Sequence, residues 1–172
     1  VRRGTVMDAI LLLADALWYA LPAYLANATP TLFGGGQAID GGRLFRDGKP
    51  VFGPHKTIRG FLVGVLFATL TGIGQALSLG PPSRLFVGPL QGVGAMVGDL
   101  MGSFIKRRRG IAPGDPLPVL DQLDFVLVAL LFSFWLEPLD WATFLVILLL
   151  TPVLHLSTNA LAYALGIKEK PW

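Results

Sequence analysis

The sequence predicts an all-α integral membrane protein with five transmembrane helices and two polar loops facing the cytoplasm. Three observations carry this expectation. Hydrophobic residues fill 53% of the 172 positions and charged residues only 15%, against about 25% charged in an ordinary soluble domain. Mean hydropathy is +0.62. The apolar residues also fall in runs near the ~20 residues that a helix needs to cross a bilayer. A chain of this composition cannot cover itself with polar surface. It has no cysteine, which excludes disulfides, thiolate catalysis and Cys-ligated metals. Two histidines are too few for a His-rich zinc site.

The expected spans are about 7–28, 60–79, 86–105, 123–138 and 141–166 within a single domain, 1–172, joined by polar loops at about 29–59 and 106–122. The N-terminal "VRRGTVMDAILLL" has the basic-then-apolar look of a signal peptide. Its apolar run, Met7 to Ala28, is too long for an ordinary signal core and reads as a retained helix. The third run is the least hydrophobic. Gly94, Gly98 and Gly102 recur in it every four residues, so they share a helical face and permit a neighbouring helix to approach closely. Asp8 and Asp15, His155 and Asn159, and Gln75 also fall within spans, where hydrogen bonds between helices are the expected use of polar groups.

Five spans put the termini on opposite sides. The loops at 29–59 and 106–122 and the C-terminus then share one side, with eleven of the fourteen basic residues; Arg2, Arg3 and Arg84 lie on the other. This asymmetry places the loops and the C-terminus in the cytoplasm and the N-terminus outside. The outer connections, "GPPSR" and "EPLD", are too short to hold a site.

The first loop contains Gly34-Gly35-Gly36 and Gly41-Gly42. Glycines permit positive φ and close backbone approach, and turns built this way present amide groups to anions. Its end, "GPHKTIRG", sets Lys56, Thr57 and Arg59 at the start of the second span, where the free amides of a helix N-terminus also favour an anion. The second loop follows "GDLMGSFIKRRRG". Asp99 lies near the membrane surface, and Ser103 and Lys106 follow four and seven residues later on nearly one helical face. Lys106 to Arg109 form a basic run of the kind that also contacts lipid headgroups. Asp121 and Asp124 in "LDQLD" are three apart on one face of the fourth span. With Asp99 they offer hard oxygen ligands for Mg²⁺, which takes one or two carboxylates together with substrate phosphates. Carboxylates, lysines, arginines and glycine loops at one face suit phosphoryl or nucleotidyl transfer. Acyl chemistry lacks a GxSxG elbow, and a nucleic-acid role lacks aromatic residues interleaved with the basic ones.

At these residues the sequence resembles a known family. "GDLMGSFIKR", Gly98 to Arg107, is similar to the "GDLxxSxxKR" run of the membrane CTP:phosphatidate cytidylyltransferases, the CDP-diacylglycerol synthases. "LDQLD" resembles their "LDRxDS", and "PHKTIRG", Pro54 to Gly60, resembles their "PKKTxEG"; the order is the same. Three departures stand out. "LPV", Leu117 to Val119, takes the place of a "PGHGG" element. Gln122 stands where the family has arginine, and Arg59 where it has glutamate. Together with "DGG", Asp40 to Gly42, and the ending "KPW", they resemble the archaeal branch, the CDP-archaeol synthases. The resemblance implies a CTP-dependent cytidylyltransferase acting on an isoprenoid ether-lipid phosphate, 2,3-bis-O-geranylgeranylglyceryl phosphate, with release of pyrophosphate. It implies catalytic roles for Asp99, Lys106, Asp121 and Asp124, with Mg²⁺ on Asp99, Asp121 and Asp124. Substrate binding would fall to Lys56, Thr57, Arg59, Ser103 and Arg107, with Asp40, Gly41, Gly42 and Lys49 from the first loop. Two alternatives remain: a transporter or channel using intramembrane aspartates, and a CDP-alcohol phosphotransferase. The latter family needs "DGxxAR", which "DGGR" does not match, and a "DxxxD" spacing that Asp121 and Asp124 miss by one residue.

Overall fold

The computed structural model describes residues 2–78, 80–168 and 170–171. Among these are five α-helices: α1 Arg2–Phe33, α2 Ile58–Ser78, α3 Arg84–Arg108, α4 Leu120–Ser133 and α5 Trp141–Ala164. Leu79, at the expected end of the second span, and Trp172 of the "KPW" ending lie outside the described residues. The first loop holds only isolated bridges, Ala38 with Thr57 and Leu44 with Pro50.

Four of the helices are long and apolar enough to cross a membrane: Val6–Phe33, Ile58–Ser78, Arg84–Arg108 and Trp141–Ala164. The fourth expected span differs. α4 has 14 residues, a rise of about 21 Å against a hydrocarbon core of about 30 Å. It starts earlier than expected, at Leu120, because side chains cap it. Gln122 Oε1 accepts a hydrogen bond from Val119 N, and Asp121 Oδ2 accepts one from Leu117 N at 2.7 Å. It ends at Ser133, and Pro138 keeps the turns that follow from extending it. The chain loosens into turns, with Leu136 N donating to Ser133 O at 3.0 Å. α1 runs longer than expected, through Pro30 to Phe33, and Gly34 N still donates to Pro30 O at 2.9 Å.

α3 is the centre of the bundle. Half of its most apolar window is buried (50%), against 11% for α5. The least hydrophobic helix is thus the most enclosed, since helices packed among their own kind need not match lipid. Small residues make this packing possible. A Cβ at Gly88 would come within 2.7 Å of Ala68 O on α2, and one at Gly94 within 2.7 Å of Ala129 Cα on α4. Both are closer than real Cβ contacts. On α1 a stripe of alanines, Ala16, Ala20, Ala23 and Ala26, is fully buried. The expected close face of Gly94, Gly98 and Gly102 packs on α4, while Gly88 and Gly92 serve α2.

α3 and α4 run antiparallel, and the α4 chain follows α3 for its whole length. Lys106 pairs with Asp121 at one end, Gly98 meets Asp124 and Phe125, Gly94 meets Ala129, and Arg84 pairs with Glu137 at the other end. Short though it is as a helix, α4 with its following turn reaches the far end of the bundle.

The polar residues within the spans behave unequally. Gln75 Nε2 donates to Trp18 O, a bond between α2 and α1. Asp8 and Asp15 are exposed and make no hydrogen bond among the described residues. Asn159 and His155 pair within α5, with Nδ2 at 3.2 Å from Nδ1.

Candidate active site

The residues singled out on α3 gather at one end of the bundle, where the first loop, the 109–119 connection and the C-terminal turn meet. Asp99, Ser103 and Lys106 share a face as their spacing predicts. Asp99 Oδ1 accepts a hydrogen bond from Lys56 Nζ at 2.7 Å. Lys106 Nζ donates to both oxygens of Asp121 at 2.9 Å. Lys56 lies two residues before α2 and Asp121 in the first turn of α4, so two ion pairs join the starts of α2 and α4 to α3. Ser103 is buried between these pairs on α3.

Asp124 is the third carboxylate. Its Oδ1 accepts from Phe125 N at 2.6 Å, and its electrostatic neighbours are Asp99, Lys56 and Asp121. Gly102 gives it room, because a Cβ there would overlap the Asp124 carboxylate; a Cβ at Gly98 would overlap the Asp124 backbone. The glycine spacing that reads as helix packing thus also seats a carboxylate beside Asp99. Among the described residues no three acidic or histidine side chains form a ready metal cluster: Asp99 and Asp121 each hold a lysine. The donor set is nonetheless the hard-oxygen kind that suits Mg²⁺ when phosphate oxygens complete the shell.

Other candidates organise the scaffold. Asp40 is buried. Its Oδ2 accepts from Phe52 N at 2.9 Å and Gly53 N at 3.0 Å, and its Oδ1 from Gly42 N at 3.0 Å. Burial pushes this carboxyl up, but the three amides outweigh it and hold the group below the usual carboxylate range. Asp40 therefore holds the fold of the first loop. Gly41 and Gly42 supply φ values of 59° and 74° for the same turn. Lys49 Nζ donates to Arg108 O at 3.2 Å, a cation on a free carbonyl at the α3 C-terminus. Thr57 Oγ1 accepts from Gly60 N at 3.1 Å and so caps α2. Arg59 is exposed and has no ion pair or hydrogen bond among the described residues. Arg107 is buried; its Nη2 donates to Ala112 O at 3.1 Å, and Nη1 lies beside Gly53.

Arg108 belongs with these. Its guanidinium pairs with Asp47, donates to Pro50 O, and lies 4.7 Å from the ring centre of Phe45 and 4.9 Å from that of Phe104. It pins the first loop to α3, where sequence suggested only a marker of the cytoplasmic face. A basic run offers no signal for which member turns inward. Gln122, in place of the arginine of the wider family, is the α4 cap.

Over most of its length the chain is similar to known proteins. The family model for CarS-like CDP-archaeol synthases matches residues 7–172. A CDP-archaeol synthase of Methanopyrus kandleri is 45% identical over 164 residues, covering 93% of this chain and 94% of its own. One of Methanococcus aeolicus is 42% identical over 178 residues, covering 96% and 100%. A solved structure of an intramembrane enzyme for archaeal membrane lipid biosynthesis superimposes with a TM-score of 0.80 at 38% identity, covering 86% of this chain and 94% of that one. With its apolar helices, its enclosed α3 and its charged end, this chain belongs to the CDP-archaeol synthase family and is a multi-pass membrane nucleotidyltransferase.

Proposed function

We propose that the protein transfers the cytidylyl group of CTP to the phosphate of a membrane ether lipid, 2,3-bis-O-geranylgeranylglyceryl phosphate, and releases pyrophosphate. The observation that carries this reading is the pair of ion pairs, Lys56–Asp99 and Lys106–Asp121, with Asp124 seated between α3 and α4. An attacking phosphate monoester has a second pKa of about 6, so it is largely dianionic near neutral pH and needs no strong general base. The residues have two tasks: to place the reacting groups and to balance their charge. Lys56, Lys106 and Arg107 attract the phosphates of both substrates. Asp99, Asp121 and Asp124 would hold Mg²⁺ once substrate phosphates engage Lys56 and Lys106. When bound, the metal would supply neutralisation of the phosphates' negative charge. Ser103 donates a hydrogen bond to a phosphate oxygen, and the fixed first loop closes one side.

The site faces the cytoplasm in this reading, with the N-terminus outside. The basic residues concentrate at the site end, and α4 with the turn after it makes the fifth crossing. Membership in a synthase family argues against the transporter and phosphotransferase alternatives.

The test incubates purified protein with labelled CTP or ATP, Mg²⁺, and ether- or ester-linked lipid phosphate, and looks for the nucleotide-linked lipid. CTP with the ether lipid gives the product most rapidly. Asp99→Asn lowers turnover at least about 100-fold with an unchanged helical circular dichroism spectrum. No product from any substrate pair overturns the reading; near-normal turnover by the variant overturns the role of Asp99.

A further inference from the structure

The C-terminal turn brings another cation to the same end of the bundle. α5 ends in a Schellman motif. Gly166 has φ 71°, Gly166 N donates to Tyr163 O at 3.0 Å, and Ile167 N donates to Ala162 O at 2.9 Å. This reverses the chain, and Lys168 Nζ reaches back to donate to Asn159 Oδ1 at 2.9 Å. Asn159 Nδ2 lies 3.2 Å from His155 Nδ1. The His155 ring packs on Phe125, 6.2 Å between centroids, and Phe125 N is the donor to Asp124. A continuous line of contacts thus runs from Lys168 to the half-buried Asp124. Two residues on, Lys170 Nζ donates to Asp115 Oδ1 at 2.9 Å, which ties the turn to the 109–119 connection.

We propose that Lys168, held in place by Asn159 and His155, is a further phosphate-binding cation of the active site, and that the C-terminal turn is one wall of it. The inference rests on the nucleotidyltransferase reading above. Lys168 is half-buried, and its electrostatic neighbours are Lys56, Lys106 and Asp121. Burial pushes its ammonium below the usual lysine range, and the two other lysines push it the same way. Asp99 and Asp121 balance Lys56 and Lys106 here; phosphates that draw those lysines off their aspartates would meet a third ammonium in Lys168. The ligand chemistry is a phosphate group, whether it belongs to CTP or to the lipid. The residue was visible in the sequence only as one of the basic residues of the C-terminus. Its partner Asn159 lies nine positions earlier, and only the helix stop at Gly166 brings the two together.

The experiment measures kcat and KM separately for CTP and for the lipid phosphate in Lys168→Ala, Lys168→Arg, Asn159→Leu and Lys170→Ala. Equilibrium binding of CTP and of the lipid phosphate is measured by calorimetry on the same proteins in nanodiscs. Lys168→Ala raises KM and Kd for one substrate about tenfold or more, as loss of one charge-assisted hydrogen bond does. The substrate affected shows which phosphate is held. Lys168→Arg restores most of the affinity, and Asn159→Leu gives a smaller shift for the same substrate. Lys170→Ala stays within about twofold, because its ion pair is exposed. Unchanged KM and Kd for both substrates in Lys168→Ala, with the wild type active, overturn the proposal and leave the function standing. Equal loss in the alanine and arginine variants with lowered thermal stability also overturns it, since that marks a purely structural role. Absence of product from the wild type overturns both readings.

Discussion

The two ends of α3 carry the same chemistry to different effect. At one end Arg84 Nε lies 3.0 Å from Glu137 Oε2, and the guanidinium stacks on Tyr19 at 4.7 Å. Tyr19 in turn donates to Glu137 O at 2.8 Å, and Gln91 and Ser133 lie beside it. At the other end stand Lys56–Asp99 and Lys106–Asp121. Each end joins elements through ion pairs; the side chains of Arg84 and Glu137 are 7% and 24% exposed, those of Lys106 and Asp121 13% and 21%, and those of Lys56 and Asp99 each 27%. The far end is a closed clasp of α1, α3 and the turn after α4. The site end is more exposed at Lys56–Asp99 and adds a third carboxylate, Asp124, that makes no ion pair among the described residues. An ion pair therefore says little about function until its enclosure and its unmatched neighbours are known.

The sharpest way to break the contrast is at the open end. Gly102→Leu drives the Asp124 carboxylate out of its seat, and displacement of about 1 Å at such a site costs about 100-fold in rate. Product formation should collapse while circular dichroism still reports a helical protein. The clasp should respond oppositely. Arg84→Met leaves the half-buried Glu137 carboxylate without its cation and destabilises by about 1–2 kcal/mol, seen as a lowered melting temperature in detergent; kcat of the folded protein is retained. The double variant Arg84→Met, Glu137→Leu recovers most of that stability, because apolar residues can replace a buried pair. A loss of kcat in the single variant would show that the far end is coupled to the chemistry.

A smaller effect is expected at Arg108, on the edge of the open end. Arg108→Leu removes an ion pair and two ring contacts, together about 1–2 kcal/mol. Limited proteolysis at Arg43 or Arg46 should speed up severalfold, with a rise in KM for CTP and little change in melting temperature. The smallest effect concerns Asp40. Its carboxyl is held below the usual range, so its contribution to loop order is complete above the ordinary aspartate pKa of about 3.9 and is lost as pH falls through the lower folded value. Protection of the loop from an acid-stable protease should persist unchanged from neutral pH down to about 4, and Asp40→Asn should remove the acid dependence.

The helices were legible because membrane length and apolar content constrain them directly, and α2 and α3 stay within three residues of their expected ends. The paired motifs were legible too: Asp99, Ser103 and Lys106 share a face because seven residues make two turns of helix. α4 was less so. Its ends depend on Gln122 and Asp121 bonding back to the chain before them and on Pro138, while hydropathy marks only the greasy stretch between. Within the basic run the sequence could not tell Lys106, which holds Asp121, from Arg107, buried against Ala112 and Gly53, or Arg108, which grips the first loop. All carry the same charge in adjacent positions, and rotation of 100° per residue sends each to a different neighbour. The resemblance named Asp40 and Thr57 as substrate-binding residues, and nothing in the sequence signalled that both also hold nearby backbone amides, because short polar side chains beside glycines serve turns and caps as readily as ligands.

By itself, then, the sequence determined that the chain is helical and membrane-embedded, that its charge lies mostly at one end, and that carboxylates and lysines recur at helical spacing there. These properties follow from composition and from a local period, and need no knowledge of what meets what. The tertiary structure decided which charges become partners: Lys56 with Asp99 across 43 positions, Lys106 with Asp121 across 15, and Asp124 against Gly102. Such pairings depend on the close approach of helices whose glycines leave no side chain between them, and that distance is set by packing across the whole bundle.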